Sequence, residues 1–226
     1  MIFCAVILTF SCTFAPVMKV VSSYLPFPCI SWWARAINAT TLLMDGYEHF
    51  EKMTYRNKYR ICGANNPIQL SIPVTGGREQ RRAMKEVTIH NQEKWQVQHW
   101  RTLVSVYSQS PFWEYYEPSL KALYEQPFSH LSEFNKATVV WCLKQLKCTI
   151  QLSETSAYSA FYDDATDLRR LRPIKPSDNI EFPGYYQVFA DRIGFQPDLS
   201  ILDLLFSEGP NTLNWIREHF AAPANA

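Results

Sequence analysis

Between Lys19 and Met44 the chain spells a β-prone run, a prolyl turn, an amphipathic helix and a second β-prone run, all in under thirty residues. The first run is Lys19–Ser23, and Tyr24-Leu25-Pro26-Phe27-Pro28 turns it. Ile30, Trp33, Ala34 and Ile37 then recur at the spacing of one helical face, and Thr40–Met44 reads as a buried strand. Two strands joined through a helix must run parallel, so the segment predicts a βαβ unit. This constrains the fold more than any other feature. Ligands of such units lie beyond the carboxyl ends of the strands, which here are Ser22–Pro26 and Asp45–His49.

A second β signal follows at once. From Met53 to Ile61 the chain reads as a strand whose Arg56, Lys58 and Arg60 share one face, roughly 6.5 Å apart, as a cationic ridge. Ile68, Leu70, Ile72 and Val74 alternate on its partner, and Gly63-Ala64-Asn65-Asn66-Pro67 supplies the turn between them. Glu86–His90 reads as a further short strand behind the loop that begins at Thr75-Gly76-Gly77-Arg78. The period then becomes helical. One helix is expected over Lys94–Ser108, a second from Ser110-Pro111 to Tyr124 and a third from Phe128 to Leu146. Cys148–Leu152 returns to the sheet, and residues 153–183 read as a long, functional or mobile loop. Ile201, Leu204 and Leu205 begin a final helical pair that Gly209-Pro210 interrupts, and AAPANA is a frayed tail. The expected architecture is one α/β domain: a mixed sheet starting with a βαβ unit and a hairpin, followed by a mainly helical C-terminal half.

With 226 residues the chain is long enough for one sizeable core, and 47% hydrophobic with 19% charged residues is globular composition. A net charge of +1 gives no reason to expect a nucleic-acid partner. The six cysteines form no CxxC and no Cys/His pairing at zinc spacing, which suits reduced structural thiols. Residues 1–17 are uncharged and mostly apolar but too short for a spanning helix, so no stable membrane insertion is expected. We read 1–17 as an N-terminal extension upstream of a domain over 18–220 that starts at Met18, with a signal peptide as the second reading.

Asp45, Glu48 and His49 follow the second strand, where a carboxylate beside a histidine suits general-base chemistry; a solvated turn is the equal alternative. Arg56 and its ridge could clamp a phosphate or carboxylate, or simply face solvent. Trp95 and His99 lie one helical turn apart, with Arg101 following, and could bracket a ring or sit at a core edge. Asp203, inside the apolar run SILDLLF, must be paired if buried, and is either an interior partner for an arginine or lysine or part of a site. Asp167-Leu168-Arg169-Arg170 in the long loop could serve a charged ligand, although loop charges are usually hydrated. Phosphate-loop, dinucleotide, nucleophile-elbow and zinc-protease motifs are absent, and the histidines are not at metal spacing.

YLPFPCISWWARA, LLMDGYEHFEKMTYRNKYRI, LSIPV, KWQVQHWRTLVSVYSQSPFWEYYEP and YYQVF…GFQPDLSILDLLFSEGP occur in that order over roughly residues 19–210. Together they resemble the WbqC-like protein family. Motif positions of that family fall on Asp45, Arg56, Asn57, Trp95, His99, Arg101, Ser110, Pro111, Tyr116, Asp203 and Gly209. The family has no established catalytic set. Longer members carry a His-Gln-Pro-Asn-Tyr-Leu-Pro signature, where this chain has Ser22-Ser23 before Tyr24-Leu25-Pro26, and a Ser-Gly-x-Gly-type loop that this chain lacks. The resemblance implies a cytoplasmic protein of surface-polysaccharide (O-antigen type) biosynthesis that transfers an aminoacyl (glycyl) group to an amino sugar. On that reading His49, His99 and Asp45 are the candidate catalytic residues. Arg56, Asn57, Arg60, Trp95, Arg101 and Asp203 are the candidate contacts to a nucleotide-linked sugar, with no metal and no cofactor. A non-catalytic nucleotide-sugar or partner-binding module is the rival, and a nucleotide-handling enzyme a third reading.

Overall fold

The computed structural model describes residues 18–52, 54–76 and 82–220. Readings that touch residues 1–17, Met53, 77–81 or the tail 221–226 lie outside them. The βαβ unit is present: strand β1 (Lys19–Ser23), helix α1 (Ile30–Ala36) and strand β2 (Thr41–Asp45), with β1 and β2 parallel from Lys19↔Thr41 to Ser23↔Asp45. Val20, Val21, Ser22 and Ser23 are all buried, as expected of a central parallel strand covered on both faces.

The hairpin is also present but shorter than expected. Strands β3 (Lys58–Ile61) and β4 (Ile68–Ser71) pair antiparallel, with Lys58 opposite Ser71 and Ile61 opposite Ile68. They form a sheet of their own, apart from the parallel one. Gly63 is required by its turn, because a Cβ there would lie 2.4 Å from the Asn66 carbonyl oxygen. Tyr55–Asn57 is a 3-10 turn and not strand. The three-cation ridge is therefore broken, and Arg56 leaves the face that Lys58 and Arg60 share. The expected strand at Glu86–His90 is likewise a 3-10 turn (Met84–Glu86) followed by isolated bridges from Thr88 and Ile89. Val87 and Ile89 still point inward, so the alternation reported burial without a ladder to join.

Three helices follow near their expected bounds: α2 (Trp95–Tyr107), α3 (Trp113–Tyr124) and α4 (Leu131–Gln145). Their inner faces meet in an aromatic core in which Trp95 packs edge-on to Phe134 at 4.9 Å and Phe27 edge-on to Tyr59 at 5.2 Å. Strand β5 (Gln151–Glu154) then joins β2 in parallel. The region 153–183 corrects the sequence reading, because it contains strand β6 (Ala165–Asp167), which pairs parallel to β1 on its other side. The sheet order is β5-β2-β1-β6. Ala-Thr-Asp at a sheet edge carries no apolar alternation to read; pairing with β1 alone makes it a strand.

The chain closes with α5 (Ala190–Ile193), α6 (Ile201–Glu208) and α7 (Thr212–Phe220). Helices α6 and α7 pack against α1. Gly209 ends α6 at φ 55°, and a Cβ there would lie 2.4 Å from the Phe112 ring. Left-handed geometry and close approach both require glycine.

Candidate functional site

The parallel strands bring four carboxyl ends together. Asp45, the last residue of β2, is fully buried. Its Oδ1 accepts from the backbone N–H groups of Tyr47 (3.0 Å) and Glu48 (3.1 Å) and from the Thr155 hydroxyl (3.1 Å) just past β5. Its Oδ2 accepts from Nη1 of Arg169 at 2.9 Å, just past β6. An isolated buried carboxylate would be prohibitive, and this guanidinium compensates it.

Arg169 has no donor left over. Its five N–H groups reach Asp45, both Asp167 oxygens, the Ser159 carbonyl (2.7 Å) and the Ala160 carbonyl (3.2 Å). The neighbouring carboxylates raise its pKa, with the Asp167 hydrogen bonds the largest contribution. Arg169 thus ties the ends of β2 and β6 to residues 158–162, and it works as a positioning residue.

Beyond these strand ends opens a cleft of about 990 Å³. His49, Arg170, Arg172 and Lys175 line it, and all four are exposed. Tyr158 and Phe161 line it too. Its wall also holds Arg56, which makes a two-point ion pair with Glu48 (Nε to Oε1 3.1 Å, Nη2 to Oε2 2.8 Å) and reaches Glu51 at 3.2 Å. The position of the cleft follows the rule for parallel sheets, since crossing connections leave a crevice beyond the carboxyl ends of the strands.

The structure gathers Asp45, His49 and Arg56 at this end of the sheet and leaves the other candidates elsewhere. Asn57 donates from Nδ2 to the Ile72 carbonyl (2.9 Å), which locks the 3-10 turn to the hairpin. Arg60 donates to the Pro197 carbonyl (3.2 Å), beside a small separate void of about 20 Å³. Arg101 is exposed on α2 and does not line the cleft. Trp95 is buried, with Nε1 donating to Asn91 Oδ1 at 3.2 Å.

His99 is a core histidine. Its Nε2 donates to the Ser71 carbonyl (3.1 Å), so Nδ1 accepts from the Tyr59 hydroxyl (3.2 Å). Burial pushes its pKa down to about 4, which keeps it neutral and closed to solvent. Asp203, for which a lysine or arginine was the natural partner, is held by two phenols instead. Tyr107 and Tyr185 donate to it at 2.6 and 2.7 Å, and burial pushes its pKa up to about 6.

The sequence reading undervalued the residues that dominate the cleft. Arg169 and Arg170 were visible as a tandem pair, yet nothing local distinguishes a structural guanidinium from a hydrated one. Arg172, Lys175, Tyr158 and Phe161 become neighbours of His49 only once β6 joins the sheet. Among the described residues no group of three or more His, Cys, Asp or Glu is arranged to hold a metal ion. Cys29, Cys62 and Cys142 are buried free thiols, and burial pushes Cys62 up to about 11, the opposite of an activated nucleophile. No helix of the described residues is long and apolar enough to cross a membrane.

Among known proteins, the model of the WbqC-like protein family matches residues 23–174, from the end of β1 through β6 and the cationic segment behind it. The match contains Asp45, His49, Arg56 and Arg169 and ends before the α6 block. No curated protein and no solved structure matches the chain. With more than half its length covered, the chain belongs to the WbqC-like protein family.

Proposed function

We propose that the cleft binds a nucleotide-linked sugar and that the protein acts in the cytoplasm in surface-polysaccharide (O-antigen type) assembly, transferring an aminoacyl (glycyl) group to an amino sugar. One observation carries this reading: Arg170 and Lys175 line an open cleft beyond the strand ends together with His49, and Arg172 lines it while paired with Asp178. Clustered cations suit the diphosphate of an activated sugar, with arginine able to engage it at two points. In the transfer, the sugar amine attacks the acyl carbon of an activated donor, His49 removes the amine proton, and the donor's leaving group departs with its bonding electrons and is protonated. The cations stabilise the oxyanion that develops on the carbonyl.

A non-catalytic binding module is the second reading, and a specific observation favours it. Asp45 is engaged by Arg169 and His99 lies in the core, so His49 is the one proposed catalytic group left in contact with the cleft. Arg56 is unsuited to a binding test because it neutralises Glu48. The informative variant is Arg170→Ala/Lys175→Ala. A nucleotide-sugar should raise the melting temperature of the wild type and not of this variant; no shift across a panel of nucleotide-sugars refutes the binding reading. Mass-spectrometric detection of acylated sugar, lost in His49→Ala, separates the enzyme from the module.

A further inference from the structure

We infer that Tyr158 and Phe161 form a stacking platform for the planar base of a nucleotide, beside the cationic wall of Arg170 and Lys175. This rests on the nucleotide-sugar reading of the cleft and deepens it by naming the part of the ligand that the aromatics recognise. Tyr158 is 59% exposed and Phe161 83% exposed. Single exposed apolar side chains are ordinary. These two lie three residues apart and line the same cleft as four exposed cationic or imidazole side chains.

The backbone between them is held in place. Arg169 donates to the carbonyls of both intervening residues, at 2.7 Å to Ser159 and 3.2 Å to Ala160. The Ser159 hydroxyl closes onto the Phe161 carbonyl at 2.6 Å. The Arg169 guanidinium also lies 5.7 Å from the Tyr158 ring centre and 4.9 Å from that of Tyr162. An arginine with every donor engaged thus fixes the backbone that carries both rings and packs beside the Tyr158 ring, before any ligand arrives. Rigid aromatics offer a π-face at low entropic cost, and stacking accepts any base. The cations next to them suit the phosphates that a nucleotide carries on the same molecule.

Titration calorimetry on the full chain with inorganic pyrophosphate and with ADP, GDP, CDP, UDP and dTDP tests this. At least one nucleoside diphosphate should bind roughly 5- to 150-fold more tightly than pyrophosphate, the range expected for one stacked base. Tyr158→Ala/Phe161→Ala should lose that margin and keep the pyrophosphate affinity. Arg170→Ala/Lys175→Ala should weaken pyrophosphate and nucleotides alike. Both rings are exposed, so the aromatic variant should keep its melting temperature. Pyrophosphate binding with no nucleotide margin, or a margin that survives the aromatic variant, overturns the platform and leaves the anion cleft standing. If neither pyrophosphate nor any nucleotide binds, the platform and the nucleotide-sugar reading fall together.

Discussion

Two buried aspartates show how differently this protein treats the same side chain. Asp45, at the end of β2, is met by a guanidinium, two backbone N–H groups and a hydroxyl. Asp203, inside α6, is met by neutral groups, chiefly the hydroxyls of Tyr107 and Tyr185. The histidines divide the same way, with His49 exposed at the cleft and His99 enclosed in the aromatic core. At the open end of the sheet, charge is matched by charge and side chains remain available to a ligand. In the core, polar groups are satisfied by neutral partners and are closed to a ligand. Residue type alone does not identify a site; the partner and the exposure do.

The sharpest way to break the contrast is to remove the matching charge. Arg169→Ala leaves Asp45 buried without its cation, and we expect a loss of about 3–5 kcal/mol in urea unfolding. Adding Asp45→Asn should recover part of it. An Arg169→Ala protein as stable as the wild type would show that the pair does not organise the strand ends.

The core pair is separated by pH. Asp203 has its folded pKa raised to about 6, so its contribution is present below the ordinary carboxylate value and is lost as pH rises through about 6. His99 has its folded pKa lowered to about 4, so its contribution is present above about 6.5 and is lost as pH falls through about 4. Each window amounts to something on the order of 3 kcal/mol. Relative to the wild type, Asp203→Asn should therefore become less stable as pH falls from 6 to 4, while His99→Gln should become more stable over the same interval. Urea melts at several pH values check this, and differences of equal sign would contradict the assignment.

Gly209→Ala probes the end of the helix that carries Asp203. It meets the Phe112 ring and a positive φ together, and a loss of about 1–3 kcal/mol is expected. The smallest stability effect is expected on the open side. His49→Ala should stay within about 0.5 kcal/mol of the wild type. Under the transferase reading it should nevertheless lower turnover by roughly 10²–10⁴. A marked loss of stability in His49→Ala would remove the contrast with His99.

What the sequence alone determined follows from local periodicity. The βαβ start, the hairpin with its Gly63 turn, the helices α2 to α4 and the break at Gly209 were all readable, because apolar spacing and turn chemistry act within a few residues. Asp45 and His49 were expected at the carboxyl end of the second strand for the same reason, whereas Arg56 was expected on a strand face and lies in a 3-10 turn. Only the tertiary structure decided which of the charged residues stay open. Arg56 turns away from its ridge because Glu48 lies eight residues earlier in sequence yet within hydrogen-bonding distance in space. Strand β6 exists because β1 offers it an edge, and Arg169 binds Asp45 across 124 residues of chain. Such pairings depend on long-range burial, where an unmatched charge is costly and a matched one is held, and no local pattern records which partner will arrive.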